Sequence, residues 1–176
     1  MSSLRRLVSK LRASCDTAGV PFVVGGSFAL AAHGVPRFTQ DIDVMVMARD
    51  LAPLHRAMLA ARFEWVTEVT FRDDESSLLV DLIPVEDEAQ RHTFEAATLT
   101  RLADDVEARV LSADGCCIML LREATRGDPK RRPLRLRDIE ALALVAPLDW
   151  AEIRRWAQRA GYERAYADLR AEGKPG

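Results

Sequence analysis

The sequence predicts an α/β (α+β) fold: a small mixed β-sheet flanked by helices, with a C-terminal helical lobe. Three observations predict it. Residues 20–47, VPFVVGGSFALAAHGVPRFTQDIDVMVM, read as strand, glycine turn, short helix and second strand. A polar turn from Arg72 to Ser77 separates two apolar stretches, Trp65 to Phe71 and Leu78 to Val85, in the manner of a hairpin. Apolar residues at helical spacing dominate both ends of the chain. With 176 residues there is enough chain for one domain with a substantial core. We divide it into a core over 1–111 and a helical lobe over 112–176 packed on that core.

The elements follow in order. Leu4, Leu7, Val8 and Leu11 lie on one helical stripe, and Gly19 supplies its stop. Pro21 to Val24 is a short strand closed by Gly25-Gly26-Ser27; Ser27 suits a helix N-cap before Phe28 to His33. Thr39 to Met47 alternates as a strand. Asp50 can cap a helix through about Arg62 that buries Leu51, Leu54, Met58 and Leu59. Glu86 to Thr100 is charged and weakly patterned, a loop with a short helical piece. Val106 to Leu111 reads as a strand, and Ser112 caps a helix over Ala113 to Thr125 with Ile118, Leu120 and Leu121 in the core. The loop RGDPKRRP interrupts before helix resumes around Leu136 to Val145. Asp149 and Glu152 stand at capping-box spacing, and Gly161 precedes a last helix over Tyr162 to Ala171.

Composition narrows the function. Apolar content of 48% and charged content of 30% fit a globular protein, and no apolar run approaches the roughly 20 residues needed to cross a bilayer. No secretory signal follows the arginines of MSSLRRLVSKLRASC, which places the protein in the cytoplasm, with no membrane partner. The odd set Cys15, Cys116 and Cys117 reads as reduced core residues, and the three histidines lack metal-ligand spacing. A net charge of −2 argues against nucleic-acid binding through the overall field.

Chemistry concentrates in the central unit. Glycines at 25 and 26 let a ligand approach the main chain, and the start of the helix beside Ser27 favours an anion, above all a phosphate. Alternation along the strand sets Asp41 and Asp43 on one face, roughly 7 Å apart at about 3.3 Å per residue. Two carboxylates so placed repel unless a cation lies between them, and hard oxygen ligands suit Mg²⁺. Asp81 is the one ionisable residue in LLVDLIPV, so it either faces water, joins a charged site or pairs with a cation such as Arg37. Arg37 and Thr39 either fasten the turn before the strand or reach the nucleotide. From Arg122 to Arg137 seven basic residues face only Glu123 and Asp128; this run is either a solvated loop or a grip on triphosphate or an RNA backbone.

Gly25-Gly26-Ser27, thirteen intervening residues and Asp41-Ile42-Asp43 together resemble the signature of the nucleotidyltransferase superfamily with the DNA-polymerase-beta-like fold. The fuller string GGSFALAAHGVPRFTQDIDV, with Arg37 and Thr39, looks most like the bacterial branch of abortive-infection-type toxins of toxin–antitoxin systems. That resemblance implies a third carboxylate on a neighbouring strand, a position Asp81 fits. Related proteins show a lysine on the earlier helix and Arg-x-Lys-Asp near the later one; Arg122 and Arg135-Leu136-Arg137-Asp138 look similar, with arginine for lysine in both places. The implied catalytic and metal set is Asp41, Asp43 and Asp81, and the implied nucleotide-binding set is Gly25, Gly26, Ser27, Arg37, Thr39, Arg122 and Arg137. The implied activity is Mg²⁺- or Mn²⁺-dependent transfer of a nucleoside monophosphate from a triphosphate such as ATP to an acceptor hydroxyl, favouring RNA (tRNA) or protein, with a cognate antitoxin as a further partner. A small-molecule acceptor such as an antibiotic is the alternative within the class. The rival class is a non-catalytic nucleotide-binding or antitoxin-type interaction protein, against which the three carboxylates argue.

Overall fold

A computed structural model describes residues 3–37, 39–103 and 106–171. Its first helix, α1 (Ser3–Ala18), buries Leu7, Val8, Leu11 and Cys15 and ends at Gly19, whose φ of +66° only glycine adopts without strain. Among the described residues seven strands form one sheet: β1 (Phe22–Val24), β2 (Asp41–Met47), β3 (Phe63–Trp65), β4 (Thr70–Asp73), β5 (Leu79–Val85), β6 (Thr98–Ala103) and β7 (Val106–Val110), in the order β3-β4-β5-β2-β1-β7-β6. The sheet is mixed. β2 runs parallel to β5 and β1 parallel to β7, while the other neighbours are antiparallel.

Several expectations are corrected. Trp65 to Phe71 is not one strand. Thr67 Oγ1 accepts from the backbone N–H groups of Val69 (3.3 Å) and Thr70 (3.0 Å), folding the chain back so that β3 pairs with β4. Glu86 to Thr100 is mostly ordered: Asp87 and Gln90 form a capping box that starts α4 (Glu88–Glu95), and β6 follows. β6 escaped the pattern because it is an edge strand, with Leu99 68% exposed. In α3 (Leu51–Ala60) Leu54 and Met58 are buried, whereas Leu59 turns outward at 46% exposure.

Ser112 accepts from Gly115 N (3.0 Å) and starts α5 (Ala113–Arg126), which buries Cys116 to Leu121 in an unbroken run. A helix apolar all round belongs inside. Around it pack α6 (Arg132–Val145), α7 (Trp150–Ala160) and α8 (Glu163–Ala171). Helix resumes at Arg132 rather than near Leu136, because Pro133 suits a first turn, where its missing N–H costs nothing. Ile118, Leu121, Ile139 and Ile153 share one continuous core with Val23, Ile42 and Val80 of the sheet. Cys15, Cys116 and Cys117 are buried free thiols. Among the described residues no helix is long and apolar enough to cross a membrane.

Candidate active site

The parallel register of β2 and β5 sets Asp43 directly opposite Asp81, and alternation brings Asp41 to the same face two residues earlier. The flanking Ile42 and Val44 are fully buried on the other side, so these strands cannot slip without burying the carboxylates. Asp41, Asp43 and Asp81 line one cavity of about 420 Å³, together with Gly26 and Ser27 of α2 (Gly26–Ala32), Thr39, and Glu123, Arg131 and Arg135 from the helical part. Thr39 Oγ1, just before β2, donates to Asp41 Oδ1, and Thr70 Oγ1 of β4 donates to Asp81 Oδ1 at 2.7 Å, so a carboxylate on β2 and one on β5 are each oriented by a threonine.

Asp43 sits deepest in conflict with its surroundings. Burial pushes its carboxyl up to about 7, reinforced by Asp41, Glu123 and Asp81, and Arg135 offsets only part of this. Burial likewise raises Glu123, against the pull of Arg135, Arg122 and Arg131. The glycine turn fits closely around Asp43. Gly25 N donates to Asp43 O (2.9 Å), and Gly26 has φ +54°, where a Cβ would fall on the Asp43 carboxylate and within 2.9 Å of its Cβ. Gly26 is therefore glycine for two reasons, backbone angle and the space Asp43 occupies.

A family profile settles the grouping: the profile described as "Nucleotidyl transferase AbiEii toxin, Type IV TA system" matches residues 9–113, more than half of the chain. The chain belongs to this family. It is a nucleotidyltransferase. Among curated proteins none matches the sequence. Solved structures share the fold: ANT(2'')-Ia in complex with adenylyl-2''-tobramycin is similar with a TM-score of 0.60 at 17% identity, over 94% of this chain and 99% of that one. An antigenic nucleotidyltransferase-like protein from Paracoccidioides brasiliensis gives 0.60 at 18% identity, over 97% and 93%. The solution structure of the antibiotic-resistance factor ANT(2'')-Ia gives 0.57 at 20% identity, over 97% and 96%.

In this AbiEii-family nucleotidyltransferase the structure gathers Gly26, Ser27, Thr39, Asp41, Asp43 and Asp81 around one cavity. Ser27 does not cap α2. Gly25 holds the cap position, in extended backbone and without a side-chain bond, and Ser27 follows one residue inside the helix. Arg37 does not pair with Asp81; it pairs with Asp138 of α6, a carboxylate only 2% exposed. Arg122 is turned away and meets Asp87 at 3.4 Å, while Arg137 lines a separate apolar groove with Leu144 and Trp150. Arg131 and Arg135 reach the cavity instead, and Glu123 was overlooked. A signal for Glu123 existed: Cys116, Met119, Leu120 and Glu123 stand at i, i+3, i+4 and i+7 of α5 and line the cavity as one stripe.

The donor chemistry suits a hard divalent cation: carboxylate oxygens on adjacent strands, that of the half-buried Asp43 held above its ordinary range by desolvation and then by neighbouring carboxylates. Among the described residues no three or more His, Cys, Asp or Glu side chains are placed to hold a metal ion together.

Proposed function

We propose that this nucleotidyltransferase moves a nucleoside monophosphate from a nucleoside triphosphate to a hydroxyl of an RNA or protein acceptor, with Mg²⁺ or Mn²⁺ held by Asp41, Asp43 and Asp81. One observation carries the reading: three carboxylates on adjacent strands face a cavity beside a glycine turn, and burial among like charges raises Asp43 to about 7. Such crowding is relieved by a proton below about pH 7 or by a cation, and hard carboxylate oxygens suit Mg²⁺.

Bound there, Mg²⁺ supplies Lewis-acid neutralisation of charge on the phosphates. The chain's own groups do the rest. Thr70 fixes Asp81 Oδ1, leaving Oδ2 to take the proton of the acceptor hydroxyl as that oxygen attacks the α-phosphorus. The bond from the α-phosphorus to the bridging oxygen breaks, and pyrophosphate leaves. Gly26 and Ser27 bring the backbone close to the phosphates, and Arg131 and Arg135 supply positive charge to the same cavity.

The family's toxin description supports a macromolecular acceptor and a cognate antitoxin that counters the activity. A small-molecule acceptor is favoured by one finding: the fold matches, over nearly the full length of both chains, a structure containing adenylyl-2''-tobramycin. Incubating the protein with each α-labelled triphosphate, total RNA, total protein and an aminoglycoside separates these readings. Label in RNA or protein that requires Mg²⁺ is the expected result; label in the aminoglycoside alone replaces the acceptor, and no label in any pool rejects the activity.

A further inference from the structure

Part of the lining of the active-site cavity is an ion pair, Glu123 Oε2 to Arg135 Nε at 2.6 Å. A second cavity of about 340 Å³ is lined by Gly127 and Asp128, and Glu123, Arg131 and Arg135 line both spaces. The pair thus stands where the two cavities meet. Arg135 has a second anchor, Asp138, at 3.8 Å, but Asp138 is already paired with Arg37. Losing Glu123 would leave the guanidinium oriented yet short of negative charge. Glu123 is partly exposed and borders two cavities, whereas Asp138 is 2% exposed.

A carboxylate on an arginine in a cavity built for phosphates competes with those phosphates. We propose that Glu123 is a resident anion, occupying Arg135 until the phosphate tail of the substrate displaces it, and that it sets how tightly the pocket holds a polyphosphate. This rests on the reading that the cavity takes a triphosphate. The charge-assisted bond from Arg135 passes from Glu123 to a phosphate oxygen, so one strong interaction is exchanged for another and net affinity is held down. Displacement also opens the way from the carboxylate cavity into the second cavity, which receives the distal phosphates. Glu123 is on this account not a catalytic residue, and its effect is transmitted through Arg135.

The test uses inorganic tripolyphosphate with Mg²⁺, titrated by calorimetry into the folded full-length protein, so that neither base recognition nor chemistry enters. Glu123→Gln keeps the shape and removes the charge; it should bind about five- to tenfold more tightly than wild type, about 1–1.4 kcal/mol. Glu123→Ala should move in the same direction. In an Arg135→Ala background, which should itself bind more weakly, Glu123→Gln should yield less than a twofold gain, because nothing remains for the carboxylate to block. Unchanged or weaker binding in Glu123→Gln, an undiminished gain without Arg135, or no tripolyphosphate binding to any variant would overturn the proposal. Failure of nucleotidyl transfer is read separately with labelled triphosphate and leaves this binding comparison standing.

Discussion

Asp43 is where single-residue energetics speak most directly to function. Its carboxyl, raised to about 7 by burial and then by Asp41, Glu123 and Asp81, binds a proton in the folded state across a range where the unfolded chain does not. The stability this contributes is complete below the ordinary carboxyl range near 4 and is lost as pH rises through about 7. In metal-free buffer Asp43→Asn should therefore be more stable than wild type at pH 8, by on the order of 4 kcal/mol, and nearly equal to it at pH 4. Thermal denaturation in EDTA checks this, and equal midpoints at pH 8 would refute the crowded-carboxylate picture. Added Mg²⁺ should stabilise wild type and not the variant.

The two glycines of the turn should behave differently. Gly26→Ala combines a left-handed φ of +54° with a methyl group driven into Asp43, and should cost about 1–3 kcal/mol and most of the activity. Gly25→Ala meets only Leu111 Cδ1 at 3.4 Å, with an ordinary φ of −116°, and should keep both. Chemical denaturation alongside a transfer assay separates them. The carboxylates were legible from spacing because strand alternation is a strict period of two. The role of Gly26 was legible only in part: sequence suggested room for a phosphate, while the structure adds that Asp43 already occupies the space where a Cβ would go.

Between elements, the Arg37–Asp138 pair ties the segment entering β2 to α6, and Asp138 in turn steadies Arg135. Arg37→Met leaves a buried carboxylate with only its longer contact to Arg135, and should destabilise by ~2–4 kcal/mol. Arg37→Met combined with Asp138→Leu should recover much of that loss, and urea denaturation of the single and double variants measures the coupling. Helical phase explains why other charged residues were misplaced. At about 100° per residue, Arg122 points well round α5 from Glu123 and finds Asp87. Arg137 lies about 200° round α6 from Arg135, so the two serve opposite faces. Run-level charge counting cannot resolve such phases, and it also overstated the basic patch. Arg122 and Arg126 are paired with Asp87, Arg132 with Asp168 and Arg135 with Glu123.

Across the whole molecule, one continuous core joins the sheet to the helices that follow Leu111, and α5 at its centre presents Glu123 to the carboxylates of β2 and β5. The strands that carry the site, β2 and β5, were readable from their apolar runs. The edge strands β3 and β6, and β4 beside β3, were not placed correctly, because their limits depend on turn bonds such as that of Thr67 and on neighbours distant in sequence. Family membership agrees with a nucleotidyltransferase. The most direct measurement of the central claim is single-turnover transfer of labelled monophosphate at saturating triphosphate by wild type and Asp81→Asn, with nucleotide affinity measured separately. Asp81→Asn should keep most of the affinity and lose at least about 100-fold in the chemical step, the usual scale of general-base catalysis. Transfer at the wild-type rate by a folded Asp81→Asn protein would contradict it.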